Sequence, residues 1–240
     1  MQASRQIVGY RMKAFLRQFN RSITFTAAFI FITFVPLKSF AREVFDLTFG
    51  VNGTATIDLA SASQSVSAMH FSVQPDGKAV VVGSVSLGSQ TEPFILRLNV
   101  DGTLDTSFGN AGIIIHTLGT VYSAVSIQAD GKIVCVGTVG SDFLIVRYNA
   151  DGSNDTSFGT NGTTVIDFQG NNYSSCLAVQ TNGKILVGGG TSAINYITVF
   201  RLNANGSLDV SFAANGFYHI PQTPGGSSNG FTFKKYSCRQ

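Results

Sequence analysis

Side-chain oxygens at alternate positions around a glycine can hold a calcium ion, and the chain presents that arrangement three times. The stretches are Asn99-Val-Asp-Gly-Thr-Leu-Asp105, Asn149-Ala-Asp-Gly-Ser-Asn-Asp155 and Asn203-Ala-Asn-Gly-Ser-Leu-Asp209. Asp101, Asp105, Asp151 and Asp155 are the candidate ligands. Calcium prefers roughly six to eight oxygens, and its loops commonly end on a bidentate Glu. Each stretch carries only one or two carboxylates and no such Glu, and the third has Asn205 where the others have Asp. Asn or Asp beside Gly is equally what a tight turn requires. The turn reading explains all three copies without an ion, so no cofactor is expected. Calcium stands as the sharper alternative.

Other chemistry is thin. His70, His116 and His219 lack the spacing of metal ligands and read as lone strand histidines. Cys135, Cys176 and Cys238 have no framework spacing. Cys135 and Cys176 read as two buried thiols, with a disulfide as the alternative. No phosphate-cradling loop, nucleophile elbow or zinc motif is present. No catalytic residue is therefore expected.

The glycine-centred stretches belong to a longer element. It runs Asp101-Gly-Thr-Leu-Asp-Thr-Ser-Phe-Gly-Asn-Ala-Gly112, and it returns over 151–162 and 205–216. A shortened copy, Asp46-Leu-Thr-Phe-Gly-Val-Asn-Gly53, precedes them. Its Phe falls at Phe49, Phe108, Phe158 and Phe212, a period of 59, 50 and 54 residues. Self-similarity of that period marks a repeat architecture. A second element recurs in register: Pro75-Asp-Gly-Lys78, Ala129-Asp-Gly-Lys132 and Thr181-Asn-Gly-Lys184.

These elements punctuate four short runs per unit. In the first unit they are Ala68–Gln74 (a), Ala79–Gly83 (b), Pro93–Asn99 (c) and Gly112–Leu118 (d). The second has 124–128, 133–137, 143–149 and 163–168. The third has 176–180, 185–188, 196–203 and 217–220. The opening copy leads into one more alternating run, Thr54–Leu59. Gly and β-branched residues abound and Pro is scarce, which favours short strands joined by tight turns. The reading is all-β: a β-propeller-like array of four-stranded antiparallel blades. Three blades span about 67–118, 122–168 and 174–220, with an extra strand at 54–59.

The Asp-x-Ser-Phe-Gly-x-x-Gly element, with Asp-Gly-Lys turns between its copies, resembles the delta-60 repeat family of bacterial proteins over about residues 45–220. The resemblance implies propeller blades and an exported bacterial setting, and it implies no activity. Ala213 departs from it by replacing the motif Gly. Closed propellers have roughly four to eight blades. Here three complete units are visible, and residues 221–240 lose the pattern. A truncated or frame-shifted product, a fragment of a longer delta-60 protein, an open stack and a ring completed in an oligomer all fit. Open blade edges would invite self-association.

Residues 1–41 carry six basic residues and no acid. Ile23 to Val35 is an apolar run of 13 residues, ended by Pro36 and followed by Ser39-Phe-Ala41. That order is a secretory signal peptide. The run is short for a bilayer span of roughly 20 residues. Export to the periplasm, cell surface or medium is expected, with membrane contact only through an uncleaved leader. Met12 is a second candidate start. Without the leader, 10 Lys and Arg face 13 Asp and Glu, a net of −3 over 42–240. Nucleic-acid binding needs a dense basic footprint, so that class is excluded.

Polar residues that recur in every unit serve assembly better than a single site, because each repeat solves the same packing problem. The sets are Gln74/Gln128/Gln180, Lys78/Lys132/Lys184, Arg97/Arg147/Arg201 and Asp105/Asp155/Asp209. Each Arg is expected to meet a carboxylate or carbonyl. The motif Phe should fill the core, and the motif Gly should allow a left-handed turn. Recognition belongs on segments that differ between units. These are the b–c loops (84–92, 138–142, 189–195) and the d–a loops (60–67, 119–123, 169–175). Tyr122, Asn171, Tyr173, Asn195 and Tyr196 are the candidate contact residues, with a composition suited to adaptable polar contacts. The expected function is an exported scaffold or binding module without catalysis, its partner a protein or a glycan. The alternative is a metal-dependent hydrolase or lyase. It would need inward carboxylates or His at non-repeated positions of the a strands, which offer His70 and Gln but no Asp or Glu.

Overall fold

The computed structural model describes residues 46–59, 65–117, 121–191 and 196–221. The leader, the tail beyond 221, Asn195 and Cys238 lie outside the described residues.

Among the described residues, twelve strands form three separate antiparallel sheets of four. The first holds β1 (Val66–Val73), β2 (Ala79–Leu87), β3 (Gln90–Leu98) and β4 (Ile113–Ile115). The second holds β5 (Val121–Ile127), β6 (Ile133–Val139), β7 (Asp142–Tyr148) and β8 (Thr163–Ile166). The third holds β9 (Asn172–Val179), β10 (Ile185–Thr191), β11 (Tyr196–Leu202) and β12 (Phe217–Pro221). Each strand pairs with its neighbour in sequence, so every sheet is a simple meander. The first strands β1, β5 and β9 lie beside one another, which stacks the sheets face to face around a common inner edge.

The chain forms strands here because it can bury them. β2 and β6 are apolar runs packed on both faces. One core fills the space between the first and second sheets, from Val80, Val82, Ile95 and Phe108 to Tyr122, Leu144, Val146 and Tyr148. Another lies between the second and third, joining Val134, Val136, Phe143, Ile145 and Phe158 to Ile185, Val187, Phe200 and Leu202. Each inner strand meets its neighbour through a bulge, at Ala68/His70, Tyr122/Ala124 and Gly188/Gly189. The opposing backbone comes so close there that a Cβ on Gly83, Gly137 or Gly189 would strike Ser67, Val121 or Tyr173.

Two expectations are corrected. Thr54–Leu59 is not a strand: it makes one bridge, Val51 to Thr54, and no ladder. A strand needs a partner, and no described strand of its own unit lies beside it. Its side chains still alternate, and Ala55, Ile57 and Leu59 pack on the outer face of the first sheet. The b–c loops are also shorter than expected. β2 and β3 are joined by Gly88-Ser89 alone, and β6 and β7 by Gly140-Ser141. The ladders zip almost to the hairpin tips, with Leu87 opposite Gln90 and Val139 opposite Asp142.

Candidate binding site

The most regular polar groups are consumed by the scaffold. In the first sheet Asp105 Oδ2 accepts from Lys78 Nζ at 2.8 Å and Arg97 Nε at 2.7 Å, while Oδ1 accepts from Ser107 N and Oγ. The second sheet repeats this with Lys132 at 2.7 Å and Arg147 at 2.6 Å on Asp155. The third repeats it with Lys184 at 2.8 Å and Arg201 at 2.6 Å on Asp209. Each guanidinium also lies over the motif Phe, 4.5–4.7 Å from the ring centre. The arginines therefore meet the carboxylates that the repeat spacing led one to expect. The Lys78 ammonium, with Ser107 and Arg97, holds the Asp105 carboxyl well below the usual range.

The same side chains tie one sheet to the next. Arg97 Nη1 donates to Ala150 O and Arg147 Nη1 to Ala204 O, both at 2.6 Å. Gly109 N donates to Asp151 O, and Gly159 N to Asn205 O, at 2.8 Å. The Phe108 and Phe158 rings are fully buried in these seams.

The calcium candidates are engaged in the same turns. Asp101 Oδ1 accepts from Thr103 N and Oγ1, and Asp151 Oδ1 from Ser153 N and Oγ. Asp105 and Asp155 each spend one oxygen on two cations and the other on a serine. Among the described residues no three His, Cys, Asp or Glu come together as a metal site.

Residues that differ between units gather at the opposite rim, where the second and third sheets meet. Gly170 and Gln169 both take left-handed φ, +78° and +65°, and turn the chain into β9. Asn172 then donates from its backbone N and from Nδ2 to Ser141 O, at 2.8 and 2.7 Å. Nδ2 also reaches Gly170 O at 3.2 Å. Ser141 Oγ donates to Asn171 Oδ1 at 3.1 Å. Below, Ser123 Oγ and Ser174 Oγ share a 2.6 Å hydrogen bond across the seam.

Asn172 is directly opposite Thr191 in the β9–β10 ladder. The register-equivalent pair in the first sheet is Val66 and Val85. The third unit has thus replaced two aliphatic side chains by two polar ones. Asn172 and Thr191 are 5% and 1% exposed, and neither Asn172 Oδ1 nor Thr191 Oγ1 has a hydrogen-bond partner. Burying a polar atom unpaired costs about 1–3 kcal/mol. Asn172 Nδ2 serves the seam through Ser141 O, but the two unpaired oxygens serve no contact of the sheets, and Val66 and Val85 stand at the same positions in the first.

Three segments of the chain, 74–108, 128–158 and 180–212, match the family model described as "Domain of unknown function (DUF5122) beta-propeller". Each matched segment falls within one sheet's unit, from the turn after its first strand to the motif Phe before its fourth. The chain is a propeller-like array of repeated blades. No curated protein matches it.

Of the candidate contact residues, Asn171 and Tyr173 stand at this rim between the second and third blades. Tyr173 is 49% exposed, and its hydroxyl end lies against Gly190. Tyr196 is half-buried, opposite Thr191, with its ring stacked on His219 at 5.6 Å and 20°. Tyr122 is a correction. It is not a loop residue but lies in β5, fully buried, its hydroxyl 2.9 Å from that of Tyr148. The ladder reaches back to Val121, and the bulge after Tyr122 turns its ring into the seam between the first two blades. Asn172, Thr191 and Ser141 were missed. Comparing the copies position by position would have pointed to the β9–β10 pair: Val66 and Val85 in the first copy and Thr120 and Val139 in the second become Asn172 and Thr191 in the third.

Proposed function

We propose that the chain is an array of delta-60-type blades acting as an exported, non-enzymatic binding module, and that its ligand is a neutral glycan. The observation that carries this reading is the buried, unpartnered pair Asn172 Oδ1 and Thr191 Oγ1 at the non-repeated rim. Both oxygens can accept a hydrogen bond, and Thr191 can also donate. Neither atom is exposed in this conformation, so a hydroxyl-rich ligand would supply donors to both, and remove the cost of leaving them unpaired, by opening the turn at Gln169–Asn172. The adjoining hydrogen-bonding groups, Ser141, Asn171 and Tyr173, are uncharged, which suits a neutral ligand. The half-exposed Tyr173 ring offers a sugar an apolar face beside them. The opposite face offers less, because its Lys, Arg and Asp side chains are already paired and its unpartnered atoms, Gln74 Oε1, Gln128 Oε1 and Gln180 Oε1, recur in every blade.

The test is calorimetric binding of the chain to a panel of neutral glycans. Saturable binding should be lost in Asn172→Val/Thr191→Val, which installs the pair of the first blade, and weakened in Tyr173→Ala. The Val/Val variant removes two unsatisfied oxygens but also the Asn172 Nδ2 bonds to Ser141 O and Gly170 O, so its fold is checked by circular dichroism before binding is read. Binding that survives Val/Val, or an absence of saturable binding to every neutral glycan, sinks the proposal.

A further inference from the structure

The third blade keeps one face that its predecessors have covered. β3 and β7 are buried on both faces, whereas β11 alternates: Thr198, Phe200 and Leu202 are buried, and Ile197, Val199 and Arg201 are half-exposed. The equivalents of Val199 are Ile95 and Ile145, both fully buried. Phe212 is half-buried where Phe108 and Phe158 are fully buried. Tyr218, in line with Ile114 and Thr164, is 58% exposed. Those two side chains touch the next blade's turn at Gly152 and Gly206. Among the described residues, Arg201 has no counterpart of the bonds from Arg97 to Ala150 O and from Arg147 to Ala204 O. Its side chain is 20% exposed against 9% and 7%.

The opposite end of the stack presents the matching half. The rear face of the first blade carries Val81, Phe94, Leu96 and Leu98, and its turn carries Val100 O, in line with Ala150 O and Ala204 O. Segment 46–59 lies on that face. It copies the last quarter of a blade: Gly50 N donates to Asp101 O at 2.6 Å, as Gly109 does to Asp151 O and Gly159 to Asn205 O. A Cβ on Gly102 would meet Ala55, in line with the contacts that Ile114 and Thr164 make on the next blades.

We infer that the forward face of the third blade docks on the rear face of the first blade of a second copy, and that segment 46–59 is a strap blocking this head-to-tail contact. The occupant follows from continuity: twice within the chain the same forward face is closed by the same rear face through the same two hydrogen bonds. In the assembly Arg201 donates to the second copy's Val100 O. The backbone N of Ala213 takes the place of Gly50 N on Asp101 O. The strap and the incoming blade compete for one acceptor and one apolar surface, so they exclude each other. A heterologous contact of this kind builds rings or open stacks.

The test is the mass of the full chain in solution by light scattering, as a function of concentration. The unaltered chain should stay monomeric. Phe49→Asp/Ile57→Asp, which expels the strap, should associate with at least a doubling of mass. Adding Arg201→Glu should return it to monomer. Where the acidic pair compromises folding, as judged by circular dichroism, Phe49→Ala/Ile57→Ala loosens the same contacts more gently and should show the same trend. A folded strap variant that stays monomeric overturns the inference. Association that ignores Arg201→Glu overturns it as well.

Discussion

Asp155→Ala removes the hub of the middle blade, and its cost can be worked from what it leaves behind. The carboxylate is 4% exposed and binds Arg147 Nε, Lys132 Nζ and both donors of Ser157. Its two cations are not equal. Lys132 is 28% exposed and can turn to water, so losing its partner costs about 0–1 kcal/mol, as for surface pairs. Arg147 is 7% exposed and held over Phe158. Breaking a buried pair by removing one partner costs about 3–5 kcal/mol, because the remaining charge is stranded. Arg147 keeps its bond to Ala204 O, which places Asp155→Ala near the lower end, about 3 kcal/mol. For a domain of this size that lowers the melting temperature by about 6–12 °C.

The chain has no Trp, so urea and thermal unfolding are followed by tyrosine fluorescence and circular dichroism. Asp209→Ala is the internal control. It removes the same hub from the third blade, where Arg201 is more exposed and has no described bond to a further blade, so it must cost less. Lys132→Met should be nearly silent. An Asp155→Ala loss no larger than that of Asp209→Ala would refute the view that the buried arginine, tied between blades, sets the cost.

Three other outcomes follow. Acid should weaken the fold through all three hubs. Lys78 leads in lowering Asp105 and Lys184 in lowering Asp209. Burial alone would raise Asp155, but Lys132, Ser157 and Arg147 outweigh it. Each folded carboxyl sits below its unfolded range, so its stabilisation is complete above about pH 4 and is lost as pH falls further; a melting temperature flat from pH 4 down to 2 contradicts this. Tyr122→Phe strands the buried Tyr148 hydroxyl and should cost about 1–3 kcal/mol, while Tyr122→Phe/Tyr148→Phe removes both partners and should cost less than the single variant in urea unfolding. Gly189→Ala drives a Cβ into the Phe143 ring and the Tyr173 backbone and should cost about 1–3 kcal/mol by the same measurement.

The blade pattern was legible because it rests on local rules that the chain repeats. Asp-Gly and Asn-Gly sit where left-handed φ is needed, as at Gly102 and Gly152. Apolar runs of strand length lie between them, and the Arg-to-Asp spacing of eight residues puts the pair side by side across the c–d turn. What escaped depends on neighbours that local pattern does not name. Thr54–Leu59 has the alternation of a strand, yet no ladder forms because no described strand of its own unit lies alongside. Tyr122 has the composition of a loop edge, yet the bulge beside it and the distant Tyr148 hydroxyl draw it into the core. Asn172 and Thr191 are far apart in sequence and ordinary in type. Their meaning appears only when the register sets them opposite each other in a place where Val66 and Val85 stand in the first blade.

That contrast also says where selection for a ligand can act. A group such as Asp105 or Arg97 cannot be given to a ligand without taking it from its partners, and each copy bears the same obligation to its blade. The rim pair carries less of it: Asn172 Nδ2 is engaged by Ser141 O and Gly170 O, but Asn172 Oδ1 and Thr191 Oγ1 are not engaged, and an aliphatic pair serves the same ladder in the first blade. The proposed ligand accounts for polar atoms kept there at a cost to stability. The open forward face obeys a different logic. Its residues, Arg201 and Phe212 among them, are the unmodified repeat, so its partner is another copy of the surface that the repeat already recognises. The two proposals, ligand recognition and self-association, therefore draw on opposite properties of the array, departure from the repeat in one case and fidelity to it in the other. For that reason Asn172→Val/Thr191→Val should leave assembly untouched, and Arg201→Glu should leave glycan binding untouched.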